Sequence, residues 1–179
     1  MQLLIAWIDR FTSALAGLLR WLMLLMVIDM LAVVVLRYAV GEGSIVLQES
    51  VLYLHAVAFM LGIPYALREN AHVRVDLLHA RLGARGRALV DLIGHVLLLL
   101  PVSCALVLTS TSYVANAWRI LEGSPEVGGI PAVFLLKTLI PVLGGCLALQ
   151  GLAECGRCLL ILRGAVPACV EPPAAGPEI

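Results

Sequence analysis

The sequence predicts an all-α integral membrane protein: a four-helix bundle with short amphipathic segments on its surface. Three observations predict it. Apolar stretches at roughly residues 18–36, 51–67, 88–113 and 131–152 fill most of the 179-residue chain. Each approaches or exceeds the ~20 helical residues that cross a hydrocarbon core about 30 Å thick. The composition is 61% hydrophobic and only 13% charged, with a mean hydropathy of +1.01, whereas a soluble domain carries about 25% charged residues.

Taken in order, residues 1–17 mix Leu, Ile and Trp7 with Asp9, Arg10, Thr12 and Ser13. This pattern predicts a short amphipathic helix on the inner membrane surface before the first span turns upward. The charges at positions 9 and 10, with no small-residue cleavage site before the span, argue against a cleaved signal peptide. Arg20 can snorkel to the interface beside Trp21. The first span ends at Arg37-Tyr38, a charged and aromatic pair suited to the outer headgroups. A ten-residue outer loop, 39–48, holds Gly41 and Gly43, and the second span then runs inward to Arg68. Pro64 near its inner end removes a backbone donor and predicts a bend.

The inner loop 68–87 alternates Val73, Val75 and Leu77 with Arg74 and Asp76, then places Leu78 and Leu82 at helical spacing. It predicts a brief amphipathic surface piece; a solvated basic loop explains its arginines equally well, but not the apolar residues between them. Pro101 predicts a kink in the third span. The outer loop 121–130 is rich in Gly, Ser and Pro, and the fourth span contains Pro141 and Gly144-Gly145, which permit bending and close helix approach. The tail 164–179, of Pro, Ala, Gly and Glu, predicts disorder. The organisation is thus a surface segment 1–17, a four-span domain 18–163 and a tail.

Charge placement sets the orientation. Nine basic residues (Arg10, Arg20, Arg68, Arg74, Arg81, Arg85, Arg87, Arg157, Arg163) fall on one side and three (Arg37, Arg119, Lys137) on the other. The richer side is expected to be cytoplasmic, with both termini inside a bacterial inner membrane. A formal net charge of zero gives no footprint for nucleic acid.

Asp29 is the first candidate for chemistry, because a carboxylate within a span is costly and functional by default. It lies eight residues before Arg37, about 12 Å below the outer boundary. His55 and Lys137 each lie about 9 Å down, so three ionisable side chains from three helices share one layer. The expectation is a polar cluster, Asp29–His55–Lys137, that sets helix register. Its rival has Lys137 snorkelling outward and His55 bonded to a carbonyl. A proton relay is disfavoured because no fourth polar residue continues the path inward.

A haem between His55 and His95 is disfavoured, since His95 lies about 10 Å from the inner side and His55 in the outer half. Asp91 and His95 share a face at i, i+4 and suit helix pairing or headgroup contact. Cys155-Gly-Arg-Cys158 has redox spacing. A periplasmic disulfide-forming enzyme needs its cysteines outside, whereas this pair falls on the reducing inner side, so the spacing is read as coincidental. Arg37, Glu42, Glu49, Arg119, Glu122 and Glu126 populate the outer rim as solvated charges or partner contacts. No phosphate-binding loop, metal cluster or nucleophilic triad is present, and neither catalysis nor a cofactor is expected. A stand-alone proton-coupled transporter built on Asp29 remains the rival within transport.

The arrangement resembles a known family. It joins Leu36-Arg37-Tyr38, Gln48-Glu49-Ser50, the inner run Arg68-Glu69-Asn70-Ala71-His72-Val73-Arg74-Val75-Asp76, Gly129-Ile130-Pro131 and Leu139-Ile140-Pro141. Together with Phe134-Leu135-Leu136-Lys137, these resemble the small membrane subunit, DctQ type, of tripartite ATP-independent periplasmic (TRAP) transporters, in a mannitol/chloroaromatic-like branch. The resemblance covers about residues 10–163; Val46-Leu47 stand beside Glu49 where many relatives carry Trp. It implies a non-catalytic permease subunit packed in the lipid bilayer against a large multi-span membrane subunit. That subunit would take up a solute, an organic acid in most of the family, by sodium-coupled transport from a periplasmic solute-binding protein. The outer rim, Glu42, Arg119, Glu122 and Glu126 included, is expected to help dock that binding protein.

Overall fold

A computed structural model describes residues 2–69, 71 and 82–164. Four helices account for nearly all of them: α1 (Gln2–Val40), α2 (Ile45–Arg68), α3 (Ala84–Arg119) and α4 (Val133–Leu162). Each is long and apolar enough to cross a membrane, and no strand occurs among the described residues. The all-α, four-span architecture is therefore as the hydropathy pattern predicts. The expected surface piece in loop 68–87 falls largely outside the described residues, as does the tail beyond Gly164.

The boundaries differ from the hydropathy reading in a consistent way: every helix overruns its apolar window. α1 is unbroken from Gln2, so residues 1–17 do not form a separate segment that turns into the span. Asp9, Thr12 and Ser13 instead lie on a helix face that packs inside the bundle, where Ile5, Ile8, Thr12 and Leu19 are buried, while Arg10 stays exposed. α2 begins six residues before the apolar stretch, at Ile45, because Ser44 caps it: the Ser44 hydroxyl accepts the Leu47 N–H at 3.4 Å.

Two π-helical turns adjust the long helices. The first, Leu36–Val40, closes α1, and Gly41 follows at φ +78°, donating its N–H to the Leu36 carbonyl. A left-handed stop of this kind favours glycine, which has no Cβ to clash. The second, His95–Leu99, precedes Pro101 in α3. Proline lacks an N–H and its ring crowds the carbonyl four residues back; a local π turn re-spaces the backbone at that point. The kink expected at Pro101 thus takes the form of a π bulge one turn earlier.

α4 is the hub: it packs on α1, α2 and α3, and α1 also packs on α2. Gly144 brings α3 and α4 into close approach. A Cβ there would stand 2.8 Å from Val107 Cγ2 and 3.0 Å from the Ser103 carbonyl oxygen. The bundle has two ends. The termini end holds the start of α1 and the close of α4, where Ile5, Ile8 and Ala153 form an apolar core joined by Leu160. The loop end holds connections 41–44 and 120–132. Beyond Leu19, α1 buries no residue, and Trp21, Leu24, Leu25, Val27, Ile28 and Leu31 are all exposed.

Candidate functional site

At the loop end, Glu49 sits just inside α2, and its carboxylate receives the Ser124 hydroxyl and, at 2.6 Å, the Ile130 N–H. The connection folds around this acid. Ser124 N–H donates to the Ile130 carbonyl at 3.2 Å, and Gly129 N–H to that of Glu126 at 3.0 Å. A Cβ on Gly129 would stand 2.7 Å from Glu49 Oε1 and 2.5 Å from Ser124 Oγ, so only glycine fits. The Gln48-Glu49-Ser50 and Gly129-Ile130-Pro131 segments, 81 residues apart, are therefore two halves of one clasp between α2 and the α3–α4 connection.

Lys137 closes the same end from α4. Its ammonium donates to both Glu122 oxygens at 2.5 and 2.6 Å and lies 4.1 Å from the Tyr113 ring centroid. Beside it, Trp118 Nε1 donates to Thr138 at 2.9 Å and packs edge-on to Phe134.

Asp29 has a different neighbour. Its carboxylate accepts the Ser50 hydroxyl at 2.6 Å across the α1–α2 seam. It lines a groove of about 480 Å³ with Leu25, Ile28, Ala32, Tyr53, Leu54 and Ile130. His55 stacks along Phe59 at 6.1 Å and lines another groove, of about 700 Å³, with Ser13 and Arg20. The structure thus does not assemble the expected Asp29–His55–Lys137 cluster. Equal depth in a bilayer says nothing about the direction in which a helix points its side chain, and Lys137 is captured by Glu122 from its own connecting loop.

The remaining sequence candidates are scattered. Arg37 and Tyr38 lie in the π turn, Tyr38 strongly exposed, and Gln48 faces outward. Of the rim, Glu42, Arg119 and Glu126 are exposed, whereas Glu122 is held by Lys137. His72, Arg74 and Asp76 lie outside the described residues. His95 Nδ1 bonds the Asp91 carbonyl of its own helix, and Cys155 and Cys158 are buried thiols.

The largest polar assembly is one that sequence reasoning missed. At the termini end, Asp9 pairs with Arg157 and, at 3.7 Å, with Arg68, which also donates to Ser13. Arg157 reaches Glu154, and Gln150 Nε2 donates to Glu154 at 3.0 Å. Thr12 Oγ1 donates in turn to Gln150 Oε1 at 2.9 Å. Gln150 is fully buried, and so are its polar partners Thr12 and Glu154 to within a few per cent. A buried amide without partners would be expensive; here every polar end is met, and α1, α2 and α4 are tied together. The signal was present as the spacing of Asp9, Thr12 and Ser13 and of Gln150, Glu154 and Arg157, each a polar stripe at three- and four-residue steps.

A family model described as "Tripartite ATP-independent periplasmic transporters, DctQ component" matches residues 25–160. The chain belongs to this family. Neither the curated proteins nor the solved structures contain a match to it. A DctQ component is a part of a transporter and not an enzyme family, so the chain is a multi-pass membrane protein of a multi-component transport system. The matched stretch takes in Asp29, both halves of the Glu49 clasp and the Lys137–Glu122 pair. Asp9 and Thr12 of the termini-end network precede it.

Proposed function

We propose that this DctQ component is the small, non-catalytic permease subunit that holds a large multi-span TRAP subunit in the bacterial inner membrane. The transport it supports is secondary, sodium-coupled uptake of an organic acid delivered by a periplasmic binding protein. The family match over residues 25–160 carries this reading. The physical surface suits it: α1 from Trp21 to Val35 and α3 from Leu89 to Leu108 present exposed Leu, Val, Ile and Met, side chains for lipid and for a second protein. Catalysis and resident cofactors form no part of the proposal.

The termini end is proposed to face the cytoplasm, on the strength of the nine basic residues that the order of spans assigns to that side. The loop-end rim of Glu42, Arg119 and Glu126 then meets the periplasmic binding protein. Proteoliposomes test the reading. Solute accumulates under an inward sodium gradient only when this chain, its large subunit and the binding protein are all present. Accumulation by this chain alone would overturn it. Reporter fusions after Gly164 should give a cytoplasmic signal.

A further inference from the structure

Asp29 stands apart from the other acids of the bundle. Asp9 and Glu154 are paired with arginine, Glu122 with lysine, and Glu49 with two donors of the clasp. Asp29 holds one neutral donor, the Ser50 hydroxyl at 2.6 Å, and no Lys or Arg among the described residues bonds it. Its depth, about 12 Å below the Arg37 level along the helix, places it in hydrocarbon, where an ionised carboxylate requires a partner. Of the three basic residues at this end, Arg119 is exposed at the close of α3, and the other two are not available to it. Lys137 is bound to Glu122, and Arg37 lies two turns further along the same helix.

We infer that the Asp29 groove receives a lysine or arginine from a membrane helix of the large permease subunit, making the loop half of the α1–α2 seam an interface with that subunit. The inference rests on the subunit reading above. Charge complementarity selects the occupant: the carboxylate is the one charged group lining the groove. The walls (Leu25, Ile28, Ala32, Leu54) suit the apolar stem of a long basic side chain. Ser50 and Tyr53 line the same groove beside the carboxylate. An incoming cation has N–H donors for the carboxylate oxygens that Ser50 leaves open.

The test uses the complex of this chain with the large subunit, recovered through a tag on this chain. Asp29→Asn keeps an acceptor oxygen for Ser50 and removes the charge. The expected result is a fall of about tenfold or more in recovered large subunit, the loss that follows truncation of one member of a desolvated charge pair. Asp29→Glu restores most of it. In the otherwise unaltered chain, a photo-crosslinking residue at Ala32 captures the large subunit through a peptide bearing Lys or Arg. This second measurement decides the matter if the Asn variant fails to fold. Undiminished recovery with Asp29→Asn, or capture of lipid alone from Ala32 in an intact complex, overturns the inference and leaves the subunit reading standing. Failure of the unaltered chain to recover any large subunit removes both.

Discussion

The two halves of the bundle handle charge in opposite ways. At the termini end, Asp9, Arg68, Glu154 and Arg157 are paired with one another, and Thr12 and Gln150 are buried among them. At the loop end, α1 buries no residue beyond Leu19, the Glu49 clasp and the Lys137–Glu122 pair bind the other three helices, and Asp29 lies in an open groove. The difference teaches that one half is built to be complete and the other to be completed. A helix whose first half is packed and whose second half is not is anchored at one end and offers its other end to something else.

This contrast can be broken or sharpened by substitution, each variant being followed by denaturant or thermal unfolding of the purified chain. Gly144→Val should have the largest effect, a loss of about 3 kcal/mol. Its side chain drives into Val107 and the Ser103 carbonyl, where backbone limits relief. Gln150→Ala should cost about 2 kcal/mol, because Thr12 and Glu154 lose a buried partner. If it costs nothing, the termini end is not the rigid half. Glu49→Ala should cost nearly as much, about 1.5 kcal/mol, by freeing the Ile130 N–H and Ser124, and should raise hydrogen exchange in the 120–132 connection first. Asp9→Asn, which weakens partly exposed ion pairs, should cost about 1 kcal/mol or less, and high salt should shrink the difference. Asp29→Asn should alter the isolated chain least, within about 0.5 kcal/mol. A large loss there would mean that Asp29 serves the fold of this chain, and the two halves would then be alike.

Much of the site was within reach of the sequence, and the parts that were not share a cause. Glu49 and Gly129-Ile130-Pro131 were singled out separately, but only the folded connection shows the glycine making room for the acid. Asp29 was found because a charge inside an apolar run is visible by itself; its assigned partners were wrong because depth was known and azimuth was not. The Asp9–Arg157 network was hidden because residues 1–17 read as a surface helix: mixed polar and apolar residues suit a headgroup layer and a packed helix face equally well. Arg119 and Glu126 are exposed as their charge suggests, whereas Glu122 is held by Lys137 from the start of α4.

What the sequence settled alone was the number of spans, their order and the depth of each charge along its helix. Hydropathy over about 20 residues is a local property, and bilayer thickness converts it directly into topology. What only the tertiary structure decided was which charges meet. That depends on how each helix is rotated about its axis and how closely the backbones approach at residues such as Gly129 and Gly144. Both are set by packing among segments distant in the chain, 148 residues apart for Asp9 and Arg157, and no local window of sequence contains them.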